Sequence, residues 1–264
     1  HENSKEIWVK EGNWTIKSGV KIPKGYTVLC KGNVTLDFIN NSFLLSYSSF
    51  NFKGDENNPI QITSSDKTGK GLTILNAEKR SEFSCVKFSN NGALNQLGMS
   101  LSGMLTFYES DVTLVDCELF ENHSEDMLNV IRADYNLKRV LFHNIYSDAL
   151  DADFSTGKID SVEFNLIGND AIDISGRKLE MTNVTISESG DKGISAGENS
   201  FINGDKISIK NSEIGLSAKD LSCIEIGLLT LNNNKLNFAV FQKKNEYGPA
   251  QLTIQTLNES GNYL

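Results

Sequence analysis

Short stretches in which apolar and polar residues alternate recur along most of this chain. Examples are Val34-Thr35-Leu36-Asp37-Phe38, Val112-Thr113-Leu114, Ile159-Asp160-Ser161-Val162-Glu163-Phe164 and Val184-Thr185-Ile186. A period of two puts one set of side chains on one face of an extended strand, so these segments are predicted as half-buried strands. No segment holds a 3.6-residue apolar stripe long enough for a confident helix; near the N-terminus there is room only for a short amphipathic one. Three prolines among 21 glycines and many Asn, Ser and Asp fit short strands joined by tight turns.

The alternation is itself periodic. Asp126-Met-Leu-Asn-Val-Ile, Asp148-Ala-Leu-Asp-Ala-Asp, Asp170-Ala-Ile-Asp-Ile-Ser, Lys192-Gly-Ile-Ser-Ala-Gly and Ile214-Gly-Leu-Ser-Ala-Lys start 22 residues apart. Upstream, Thr106-Phe-Tyr-Glu precedes Leu128-Asn-Val-Ile by the same interval. A 22-residue unit of strands and turns cannot bury its apolar side alone. Coiled into stacked rungs, each strand pairs with its copies and the inward side chains form one core. A leucine-rich repeat has a similar period, but its L-x-x-L-x-L-x-x-N pattern and helical halves are missing. A β-sandwich would not keep a fixed register. The prediction is an all-β parallel β-helix in one domain, 1–264, with an N-terminal cap over 1–30, rungs over 31–236 and a C-terminal cap over 237–264.

The strings at Thr106–Ser110, Ser147–Ser155, Gly168–Gly176, Gly190–Glu198 and Gln242–Ala250 carry a resemblance. Over roughly residues 10 to 255 the chain is similar to the right-handed parallel β-helix, pectin-lyase-like superfamily. More narrowly it resembles secreted bacterial β-helix modules of unsettled function, some found with spore-coat-type kinase domains. The resemblance implies a right-handed helix, an extracellular or cell-envelope location, and further domains of a longer chain as partners.

Composition narrows the function classes. The 264 residues carry 25 Lys+Arg against 34 Asp+Glu, a net charge of −9, which argues against a nucleic-acid partner. No apolar run approaches the ~18 residues of a membrane helix. The four cysteines (Cys30, Cys85, Cys117, Cys223) form no C-x-x-C pair and read as small core hydrophobes. His123 and His143 read as solvated turn residues. A start at His1 rather than Met is expected if a signal peptide was removed or the domain excised from a longer protein. Serine-hydrolase, zincin and nucleotide-binding motifs are missing.

The repeat also fixes which side chains face outward. Leu128, Leu150, Ile172, Ile194 and Leu216 form one inward column, with Val130, Ala152, Ile174, Ala196 and Ala218 two residues on. Asn129, Asp151, Asp173, Ser195 and Ser217 then face out, as do Glu109, Ile131, Asp153, Ser175, Gly197 and Lys219. Asp126, Asp148, Asp170 and Lys192 stand where the strands begin. Rungs ~4.8 Å apart crowd Asp148, Asp151, Asp153, Asp170 and Asp173 into a patch two rungs tall, where some must take up protons, bind cations or pair with Lys and Arg.

Three roles compete for that patch. Asp148 and Asp170 read either as turn caps or as ligands of a hard cation such as calcium, the one cofactor the patch suits. Mid-strand Asp is disfavoured, so Asp151 and Asp173 point to function. Two carboxylates one rung apart meet the ~5 to 9.5 Å span of glycoside hydrolysis, with Asp153 and Asp170 plausible partners. The superfamily resemblance also implies a uronate lyase, with calcium and Lys192 or Arg132 as base. Gly-Asp-Asp, Gly-His-Gly and Arg-Ile-Lys are missing, which weighs against a polygalacturonase. Tyr108, Glu109 and Asn129 on the strands, with Lys243, Lys244 and Tyr247 in a terminal polar-aromatic loop, are candidate polysaccharide contacts. The expected function is a surface or secreted module that binds or processes a polysaccharide. The alternative is a non-catalytic structural or adhesive module whose acidic patch holds calcium or stays solvated.

Overall fold

A computed structural model describes residues 5–261. It is all-β, with parallel strands coiled into about eleven turns of ~22-residue rungs. Ten strands form one sheet and seventeen form a second. In early rungs the second sheet takes two short strands per turn, such as Val112–Val115 and Glu118–Phe120. In later rungs one long strand, such as Thr156–Ile167 or Lys178–Ser189, bends across both faces. The bend falls at a residue with positive φ, Ser161 (57°) and Asn183 (53°), at the place where the earlier rungs break at Asp116 (54°) and Arg139 (51°). Left-handed backbone in non-glycine residues costs ~1–2 kcal/mol each, a cost that the packed faces on either side offset.

Inside, the predicted columns hold. Leu128, Leu150, Ile172, Ile194 and Leu216 are all fully buried and lie opposite one another, rung on rung. Towards the N-terminal half the core is aromatic: Phe83 lies 5.5–6.2 Å, ring centre to ring centre, from Phe50, Phe52, Phe88 and Phe107. Cys30 and Cys117 are buried as core residues, whereas Cys85 and Cys223 are half-buried.

Two expectations shift. Thr106 stands opposite Asn129, not Leu128, and Tyr108 rather than Glu109 stands opposite Ile131. The turn 121–125 is one residue longer than the turn 144–147 that follows, while every strand position between Gly103 and Phe120 keeps its partner. Glu109 instead takes positive φ (46°) at the turn, and its carboxylate accepts from Asn76 Nδ2 at 2.7 Å. His143 is a strand residue, its Nε2 2.9 Å from Glu118 Oε1 and its ring stacked on Phe120. The ladders run from Glu6 opposite Thr27 to Asn232 opposite Ser260, so the stretches expected as caps also contribute strands.

One satellite cluster sits outside the solenoid. Phe43, Leu45 and Leu94 are buried against Leu75, Met99 and Leu101. Leu45 lies opposite Thr73, so the 91–102 segment covers the outer face of the ten-stranded sheet there. Phe83→Ala removes the ring that joins the aromatic column and leaves a cavity. The expected loss is ~3–5 kcal/mol in denaturant unfolding, with the solenoid still formed by circular dichroism.

Candidate functional site

The ten-stranded sheet aligns its outward residues in rows along the solenoid axis. The middle row reads Thr73, Thr106, Asn129, Asp151, Asp173, Ser195 and Ser217. It has aliphatic neighbours on its own strand to either side, so the backbone pleat alone brings the polar groups into line. Flanking rows crowd it so closely that Thr106, Ser195 and Ser217 expose no surface. Asn129 Nδ2 donates to Asp151 Oδ2 at 2.9 Å. Asn129 Oδ1, Asp173 Oδ1, Ser195 Oγ and Ser217 Oγ are buried without a hydrogen-bond partner, an unfilled polar demand.

Asp126, Asp148, Asp170 and Lys192 form the row where the strands begin. Asp148 Oδ1 accepts from the Asp170 backbone N–H and from Asn169 Nδ2, at 2.9 and 2.7 Å. Asp170 Oδ1 accepts from the Lys192 N–H at 2.9 Å. Each caps the turn of the next rung, as Asx residues do. Lys192 closes the row with its ammonium on Asp170, at 3.3 Å, and on Asp191.

Electrostatics follow from crowding. Burial pushes the Asp151 carboxyl up to about 9, reinforced by the charges of Asp126, Asp153, Asp173 and Asp148. Asp126 is raised to about 7 by burial and by Asp148 and Glu125, against a hydrogen bond from Ser102. Burial raises Asp170 to about 6 despite Lys192. Asp148 and Asp153 are also raised, first by burial. Desolvation pulls the Lys192 ammonium down, but Asp191 and Asp170 outweigh it and hold its pKa above the ordinary value. Lys192 is therefore a charge partner and a poor proton acceptor.

The opposite border is aromatic and cationic. Where each strand ends, the chain turns through positive φ at Arg132, Phe154, Gly176 and Glu198. Arg132 donates to the Tyr108 hydroxyl at 2.7 Å and lies 5.9 and 5.8 Å from the rings of Tyr108 and Phe154. A Cβ on Gly176 would come 2.7 Å from the Phe154 ring, so glycine makes room for it. Lys244 reaches back from the terminal loop to pair with Glu198 and lowers the pKa of Asp153 against that burial.

The structure thus gathers Asn129, Asp148, Asp151, Asp153, Asp170, Asp173 and Lys192, with Tyr108 and Arg132 along one side. Lys243 and Tyr247 stay in the loop that follows Leu236–Phe241: the Lys243 and Lys244 N–H groups both donate to Asp220 Oδ1 at 2.7 Å. Asp126, which the repeat sets at a strand start 22 residues before Asp148, was not among the candidate site residues, nor was Phe154, which lies just past a strand end. Among the described residues no three His, Cys, Asp or Glu side chains are arranged to hold a metal ion. A concavity of about 870 Å³ lined by Gly168, Gly190, Ser212 and Lys235 lies at another corner of the rungs. It is a shallow trough of turn residues, and the paired acids lie elsewhere.

No protein-family model and no curated protein matches the sequence. Among solved structures, the periplasmic alginate epimerase AlgG superposes with a TM-score of 0.51 at 9% identity, over 96% of this chain and 79% of that one. The chain has the right-handed parallel β-helix, pectin-lyase-like fold. Looser β-helix neighbours include the catalytic unit of a GH87 α-1,3-glucanase from Streptomyces thermodiastaticus (TM-score 0.45, 11% identity, 97% of this chain). This β-helix spans 63% of the glucanase unit. Another is PfbA, a surface adhesin of Streptococcus pneumoniae (TM-score 0.37, 10% identity, 98% and 85% of the two chains). Among the described residues no helix is long and apolar enough to cross a membrane.

The raised carboxyls tie the stability of this β-helix to pH. Unfolded Asp titrates near ~3.9, so the folded chain keeps protons that the unfolded chain has released. Stability therefore falls as pH rises from ~4 through about 7 for Asp126 and about 9 for Asp151. Asp151→Asn removes the largest contribution. Melting curves are expected to show the variant more stable than wild type by at least about 1.4 kcal/mol near pH 8, a margin that closes towards pH ~4.

Proposed function

We propose that this chain is a secreted or cell-envelope module that holds a polysaccharide along the row of Asn129, Asp151 and Asp173 and hydrolyses it there. The observation that carries the reading is a buried carboxyl kept protonated through neutral pH, Asp151, one rung from a second carboxyl, Asp173, with an unpartnered oxygen. Hydrolysis of a glycosidic bond needs such a pair: an acid that protonates the leaving oxygen and a carboxylate that attacks the anomeric carbon or activates water. The rung spacing of ~4.8 Å lies near the ~5–5.5 Å of retaining enzymes. Asp151 is assigned as the acid and Asp173 as the nucleophile.

The fold supports a carbohydrate role, since the alginate epimerase that shares it acts on a polysaccharide. A lyase reading has less support: it needs a proton acceptor, and Lys192 is held charged by Asp170 and Asp191. The Tyr108, Arg132 and Phe154 border offers a flat face on which sugar rings stack. No step in this reading uses a metal.

Turnover is tested on a panel of polysaccharides with wild type, Asp151→Asn and Asp173→Asn. The expected result is release of reducing ends by wild type and a ~10²–10⁴-fold loss in each variant, with melting temperatures no lower than wild type. Binding without turnover in wild type would leave a binding module in place of an enzyme. Neither binding nor turnover would overturn the reading.

A further inference from the structure

The chemistry of the outward rows says what kind of sugar they suit. Asp126, Asp148, Asp151, Asp153, Asp170 and Asp173 stand within three rungs on one face. Three of the cations on this face are already committed. Lys192 is held by Asp170 and Asp191, Lys244 by Glu198, and Arg132 by the Tyr108 hydroxyl and two rings. With Asp151 protonated, the negative charge on this face comes from its neighbours, so an arriving carboxylate meets like charge there and no unpaired ammonium or guanidinium among those three.

A second observation, independent of the acids, points the same way. Asn129 is only 2% exposed, and its amide nitrogen is spent on Asp151, so the group left without a partner is its acceptor oxygen. Asp126, equally buried, has Oδ2 unpartnered, and so has Asp173 its Oδ1. These unfilled atoms are acceptors, and acceptors need donors. An ammonium brings three N–H donors and a positive charge, a hydroxyl one donor, and a uronate carboxylate none.

We propose that the polymer recognised by this face carries amino-sugar cations, not uronate carboxylates. The proposal rests on the polysaccharide reading above and deepens it: the same rows that bring Asp151 and Asp173 together select the glycan by charge and by hydrogen-bond donors. Ammonium groups on successive sugars lie against the acidic rows, and ring faces lie against Phe154 and Tyr108. The 2-amino group of a glucosamine unit supplies the donor that Asn129 Oδ1 lacks.

The test is titration calorimetry of the full chain with three oligosaccharides of equal length: glucosamine, its N-acetylated counterpart and galacturonate. A buffer near pH 7 leaves Asp170 ionised, above its raised pKa of about 6, while the amines keep part of their charge. The glucosamine oligomer is expected to bind at least about tenfold more tightly than the galacturonate oligomer, a 1.4 kcal/mol difference, with the N-acetylated oligomer between them. The margin should shrink as salt screens the face. Equal binding of the amine and its acetylated form, or tighter binding of galacturonate, overturns the charge assignment while leaving a polysaccharide site. Binding of none of the three, together with no turnover on any polysaccharide, overturns both.

Discussion

Everything in this molecule depends on the parallel ladder. Each rung hydrogen-bonds to the next in the same direction, so a residue at one position in the repeat stands ~4.8 Å from its copy and continues the same row. Inside, this is favourable for any apolar side chain, because Leu128 rests on Leu150 and Leu150 on Ile172. Outside, the same rule is indifferent to charge and stacks Asp148 on Asp170 and Asp151 on Asp173. A row of acids is thus imposed by backbone geometry, and the side chains must resolve the repulsion locally.

They do so in two ways. In the row where strands begin, Asp148 and Asp170 accept the backbone N–H of the following rung, so each stabilises the next turn. In the middle row no such donor is at hand. Asp151 receives one N–H from Asn129 and keeps a proton, while Asp173 keeps an oxygen with no partner. The first solution is architectural and the second is chemical. The difference between them, more than the number of acids, is what supports the function proposed for the middle row.

Most of the architecture was legible in the sequence because a 22-residue period and a two-residue alternation each have one physical cause. The inward columns could be written down from spacing alone. The register upstream of Asp126 could not, since one extra residue in the turn 121–125 changes no strand pattern, yet it moves Tyr108 into the row assigned to Glu109. The pairing of Arg132 with Tyr108 and Phe154 was hidden for a related reason. It is built at left-handed turn positions, where side-chain direction follows φ and not the alternation that identifies strands. That Asp148 and Asp170 cap turns was likewise a matter of which backbone N–H groups come near, which spacing does not report.

The 91–102 segment has a geometric consequence for that face. By packing Leu94, Met99 and Leu101 over Phe43 and Leu45, it lays an aliphatic wall across the outward row just beyond Thr73. Towards the other end the row runs on through Ser195 and Ser217 to Ala239 in the last rung. The polar strip is therefore a slot with one blind end, and its two directions along the axis are not equivalent to anything lying in it.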